Sequence, residues 1–139
     1  MRDLVLDTNV ALDLLVFGDP AVAPVRDGLA RGRLRWLATA AMREELERVL
    51  GYPALARRLQ ASGLTPQQVL DEFDACSHRV DAAAVAAVAC RDPDDQCFID
   101  LAVHHGCTLL SKDAAVLALA RRLSALGVHA AAALPDSSG

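Results

Sequence analysis

Apolar positions along the chain fall alternately into short continuous runs and into helical stripes. Leu4, Val5 and Leu6 form a run that stops at Asp7, and residues 10–17 carry helical spacing, which predicts a strand leading directly into a helix. Gly18, Asp19 and Pro20 close that unit. A second helix is expected within residues 21–31 and a second strand at 34–38, after Gly32. Residues 40–50 read as a helix ended by Gly51, and Pro53 opens another through Leu59. Thr65-Pro66-Gln67-Gln68 has the spacing of a capping box with Pro at the first helical position, so a helix should run on to about Cys76. Residues 82–90 are apolar and expected to be buried; their alanines favour helix, their place before a loop suits a strand, and both stay open. Asp92-Pro93-Asp94-Asp95 opens a helix to His105, stopped by Gly106. A strand at 107–110, a long last helix at 114–126 and a final strand at 128–131 complete the pattern.

Such alternation predicts an α/β domain on a parallel sheet of about four to five strands, with helices on both faces. In that architecture ligands sit beyond the carboxyl ends of the strands, near the point where strand order reverses. Asp7 and Asp113 fall at that end. A chain of 139 residues, 53% apolar, suits one domain, expected over residues 1–133, with 134–139 as a flexible tail. A net charge of -4 excludes a polybasic arm, so nucleic acid would have to be held by local positive patches. The four cysteines have neither zinc nor CxxC spacing, the N-terminus lacks the pattern of a secretory leader, and no run approaches the length of a membrane span. A soluble cytoplasmic protein with reduced thiols is the expectation.

The acids then decide the chemistry. Asp7, Asp92 and Asp113 each precede a helix, where an aspartate serves as an N-cap, and each alone is explained that way. Asp95 is different, because Asp95, Phe98, Ile99 and Ala102 share one helical stripe and the carboxylate lies in the apolar face. A buried charge there needs a cation, a hydrogen-bonded partner or a proton. Asp100 falls on the opposite side, expected in solvent. On the helix at 40–50, Met42, Leu46, Val49 and Leu50 form the core stripe; Glu45 borders it, Glu44 lies opposite, and Glu47 is placed to pair with Arg43. A rim salt bridge and an inward-leaning ligand are both open for Glu45. If Asp7, Glu45, Asp95 and Asp113 converge, the cluster repels itself unless a hard divalent cation, Mg²⁺ or Mn²⁺, offsets it.

LVLDTNV at residues 4–10 resembles the first motif of the PIN-domain family, in particular its small single-domain members related to the toxins of bacterial toxin–antitoxin pairs. EELERVLGYPAL resembles the family's second acidic helix, in which the acid four residues before the Val-Leu pair is functional; that selects Glu45. RDPDDQCFIDLAVHHGCTLLSKD resembles the third segment, with Asp95 opening a helix and Ser111 standing two residues before Asp113. The resemblance spans residue 4 to about residue 117. It implies a three-layer α/β/α fold and a ribonuclease that hydrolyses phosphodiester bonds with Mg²⁺ or Mn²⁺. Asp7, Glu45, Asp95 and Asp113 would be its catalytic and metal-binding acids, supported by Asn9 and Ser111. A cognate antitoxin and homodimerisation are the partners the resemblance suggests, beside RNA itself. Ser111-Lys112-Asp113 stands where Thr-Gly-Asp or Thr-Arg-Asp is frequent, so Lys112 adds a charge that would meet phosphate or weaken a second metal site. Arg43, Arg48, Arg57 and Arg58 are candidates for phosphate contact, and His104 and His105 are expected to serve only the helix C-terminus.

Two other readings stand beside the nuclease. An aspartate-based phosphotransferase also uses an Asp after the first strand, but Asn9 occupies the position where a second Asp would be wanted. A degenerate PIN fold retained as a protein-binding module is the other, and the presence of all four acids weighs against it.

Overall fold

The structure, a computed structural model, describes residues 1–135. Its order is β1 (Arg2–Leu6), α1 (Thr8–Leu12), α2 (Ala23–Ala30), β2 (Leu34–Ala38), α3 (Ala40–Leu50), α4 (Pro53–Ser62), α5 (Pro66–Cys76), β3 (Ser77–Arg79), α6 (Gln96–His105), β4 (Thr108–Leu110), α7 (Ala114–Leu117), α8 (Ala120–Ala125) and β5 (Ala130–Ala131). The five strands form one sheet in the order β3-β2-β1-β4-β5, all parallel. Leu4, Val5 and Leu6 are buried in succession, as are Trp36, Leu37 and Ala38, so both faces of the centre are covered by helices. The expected α/β architecture is the one observed. Most of the expected tail lies outside the described residues.

Strand order reverses between β1 and β4. That reversal opens a crevice at the carboxyl ends of these two strands, and Asp7 and Ser111 are the residues that follow them. The Asp7 N–H extends the ladder by donating to the Leu110 carbonyl (2.9 Å), which fixes where the crevice begins. Two local devices set the strands beside it. Gly28 lets α2 press against β2, since a Cβ there would collide with the Leu34 side chain. Gly106, at φ 58°, ends α6 and turns the chain into β4. The capping box at Thr65 forms as read, and Trp36 meets Phe73 edge-on at 5.0 Å, joining β2 to α5.

Several expectations need correction. Residues 82–90 are neither helix nor strand, and only Val88 among them is buried, while Val85 is 80% exposed. Alanine carries too little apolar surface to force burial. Polar side chains hold the stretch instead: the Asp100 carboxylate accepts the Ala86 N–H (2.8 Å), and Gln96 accepts the Cys90 N–H (2.6 Å) while donating to the Val88 carbonyl (3.0 Å). Asp100, expected in solvent, is therefore buried, because the loop folds over its side of α6. The last long helix is two, since Leu119 donates to Val116 in an i-3 bond that tightens the chain between α7 and α8. The first helix gives way to a π-turn at Asp13–Phe17. Among the described residues no single helix is long and apolar enough to cross a membrane.

Candidate metal centre

Asp7 sits at the N-cap position of α1, yet its side chain makes no cap bond; the backbone carbonyl receives the N–H groups of Val10 and Ala11. The carboxylate is thereby free to turn into the crevice. Ser111, fully buried, donates its hydroxyl to Asp7 Oδ2 at 2.6 Å and accepts the Asp113 N–H at 3.0 Å. This relay ties the end of β1 to the end of β4. Asn9 Oδ1 accepts the Lys112 N–H at 3.5 Å, a weak second tie. Thr8 donates its hydroxyl to Glu45 Oε2 at 2.8 Å, so α3 is hung on the same corner.

Asp95 ends the 3₁₀ turn Pro93–Asp95 and is 7% exposed, as its place in the apolar stripe predicts. Its Oδ2 is buried and has no hydrogen-bond partner among the described residues. Carboxylate oxygens of Asp92, Asp95 and Asp113 all lie within 4.8 Å of one another. Asp7 and Glu45 stand outside this tightest group, though the Asp7 charge bears on both Asp95 and Glu45. Asp113 also caps α7 by accepting the Ala115 N–H (2.8 Å), and Asp92 caps its turn by accepting the Asp94 N–H (3.0 Å). Capping and convergence thus coexist in both residues.

The electrostatics have one sign. Burial, the charge of Asp7 and the facing carboxylates of Asp113 and Asp92 push Asp95 up to about 7. Burial raises Asp7 against the opposing pull of the Ser111 hydroxyl, and burial raises Glu45 against that of Thr8. An oxygen-only donor set, packed tightly enough to disfavour its own charge and including a buried oxygen with no partner, fits a hard divalent cation. Three thiols are poor nucleophiles: burial pushes Cys76 and Cys107 to about 11 and Cys97 to about 12.

Two residues were missed as site components. Thr8 carried no signal beyond following Asp7. Asp92 carried one: side chains three apart in a 3₁₀ turn eclipse each other, so an Asp-Pro-x-Asp opening puts both acids on one side. The basic residues also fall differently from expectation. Lys112 Nζ lies 2.6 Å from the buried Asp13 carboxylate, so its charge is paired with the start of the π-turn. Arg43 forks onto Asp74 (2.9 and 3.0 Å), since α5 packs beside α3, and does not pair with Glu47. Arg58 covers Phe17, and Arg48 is the arginine whose charge reaches Glu45. His105 lines a recess with Arg2 and Asp3 at the opposite end of the sheet. Lys112→Met is expected to lower stability by about 1–3 kcal/mol in urea unfolding, because Asp13 is left charged and buried. Adding Asp13→Asn should recover most of that; a Lys112→Met protein as stable as the parent would show the pair to be idle.

A family model described as PIN domain matches residues 3–122. A search of characterised proteins returned no match. Among solved structures the fold is similar to VapBC2 from Rickettsia felis bound to a DNA fragment from their promoter, with a TM-score of 0.62 at 13% identity over 93% of this chain and 98% of that one.

Proposed function

Since the chain belongs to the PIN-domain family, we propose that it is an endoribonuclease hydrolysing RNA phosphodiester bonds with Mg²⁺ or Mn²⁺ held by Asp7, Glu45, Asp95 and Asp113. The observation that carries this reading is Asp95, whose buried Oδ2 has no partner among the described residues and which clusters with other carboxylates at the strand-order reversal. When bound, the ion supplies Lewis acidity at the phosphoryl group and offsets the acidic pocket so that phosphate can approach. The protein's own groups do the rest. Ser111 fixes the orientation of Asp7 and, through the Asp113 N–H, that of the loop after β4. Thr8 occupies Glu45 Oε2, so Oε1 is the oxygen that would hold the metal or the attacking water. Arg48 is the candidate for steering phosphate toward the site.

Residues 1–133 are read as one nuclease domain in the cytoplasm. The sequence resemblance to toxin components, with the fold shared with VapBC2, supports a protein antitoxin as partner. A homodimer is the accompanying expectation, and a monomer by light scattering at micromolar concentration would sink it. The test of activity is a panel of structured and single-stranded RNAs incubated with Mg²⁺, Mn²⁺ or EDTA. Cutting that requires the ion is expected. A folded protein that cuts nothing under any condition, yet captures a partner protein, would replace the nuclease with the binding-module reading.

A further inference from the structure

Asp92 does more in this fold than a helix cap requires. A cap uses one oxygen, and Ser or Asn fills the position as well. Here Oδ1 is taken by the Asp94 N–H, while the carboxylate as a whole stands with those of Asp95 and Asp113, oxygens within 4.8 Å. Asp113 divides its oxygens in the same way, Oδ1 being taken by the Ala115 N–H. The third member of the group, Asp95, has a buried Oδ2 that no donor reaches among the described residues. A third carboxylate beside a partnerless buried one only adds repulsion unless something positive sits among them.

The position of Asp92 is also built. It follows the irregular stretch 81–91, and that stretch is pinned immediately upstream by Gln96, which holds the Cys90 N–H and the Val88 carbonyl. Gln96 is itself anchored on Asp100 Oδ1 at 2.8 Å. A clamp on α6 therefore delivers Asp92 to the same helix end that carries Asp95. Exposed Asp94, one residue from Asp95, is left outside the group.

We propose that Asp92 is a direct ligand of the divalent cation, a fifth carboxylate added to Asp7, Glu45, Asp95 and Asp113. The proposal rests on the reading that a cation binds here at all. With Asp95 and Asp113 it would form an all-oxygen face, leaving Asp7 and Glu45, which stand outside this tightest group, to reach the ion directly or through water.

The experiment titrates Mn²⁺ alone into the full chain, by calorimetry and by the electron paramagnetic resonance of free Mn²⁺, with no RNA present. Asp92→Asn keeps an oxygen for the Asp94 N–H and removes the charge; Asp92→Ser is a second variant that keeps the cap by another route. Asp94→Asn removes an equal charge two residues away. Expected is Mn²⁺ affinity weakened by at least about tenfold in both Asp92 variants, with melting in EDTA unchanged or higher and Asp94→Asn matching the parent. Parent-like affinity in Asp92→Asn overturns the proposal and leaves the nuclease reading intact. Equal weakening in Asp92→Asn and Asp94→Asn also overturns it, since net charge rather than ligation would then be responsible. A folded parent that binds no Mn²⁺ overturns both.

Discussion

Asp95→Asn and Asp7→Asn are each expected to lower metal-dependent RNA cleavage by at least about a hundredfold while leaving the protein folded. The change is isosteric and removes one charge, so packing around these buried residues is preserved. For Asp95 the partnerless Oδ2 is lost as an anionic donor, and an amide nitrogen in its place presents hydrogens to the cation seat. For Asp7 an amide can still receive the Ser111 hydroxyl through its oxygen, so the β1–β4 tie survives and only the charge is removed. The magnitude follows from what an ion contributes: several kcal/mol of transition-state stabilisation, each ~1.4 kcal/mol being tenfold in rate. Initial rates at saturating Mn²⁺, with circular-dichroism melts of each variant, make the comparison. A variant within about threefold of the parent rate would remove that residue from the site.

In EDTA the protein should lose stability as pH rises from about 4 through about 7. Asp95 carries the effect: its folded value is pushed from 3.8 up to about 7, so across that window the unfolded chain ionises first and binds fewer protons than the folded one. Below the unfolded value both states are protonated and the penalty is absent. Asp7 and Glu45, raised in the same direction, add to the loss. Asp3 and Asp74 work oppositely, because their ion pairs with Arg35 and Arg43 hold them low and the stability they contribute disappears in stronger acid. Metal-free stability should therefore peak in the weakly acidic range and fall toward neutrality by on the order of 2 kcal/mol, after allowance for solvent screening. Excess Mn²⁺ binds the ionised cluster of the folded state alone and should abolish the fall. Urea midpoints across this range, with EDTA or Mn²⁺, read it out. If Asp95→Asn kept the parent's slope in EDTA, the acidic cluster would not be its source.

What the sequence made legible follows from which interactions are local. β1, β2 and β4 are central and buried, and their apolar runs mark them; β3 is Ser77-His78-Arg79, a three-residue edge with no apolar alternation, and nothing announces it. Helical geometry put Asp95 in the apolar face and separated Glu45 from Glu44, because each reading lies within one element. It failed for Asp100, since the side of a helix turned away from the sheet can still be covered by a loop whose path no periodicity encodes. It failed for Arg43 for a related reason, and the Lys112–Asp13 pair went unread in the same way: Asp74 and Asp13 come from elements adjacent only after folding. The acids were visible as residue types and spacing, whereas the approach of Asp92 to Asp95 and Asp113 follows a loop held by Gln96, which spacing does not reveal.

The sheet ends on one side in three residues of β3 and on the other in two of β5. Another chain adding itself as a sixth strand would find only two or three rungs to bind, one edge bearing His78 and Arg79, which is poor ground for the runaway stacking that longer bare edges invite.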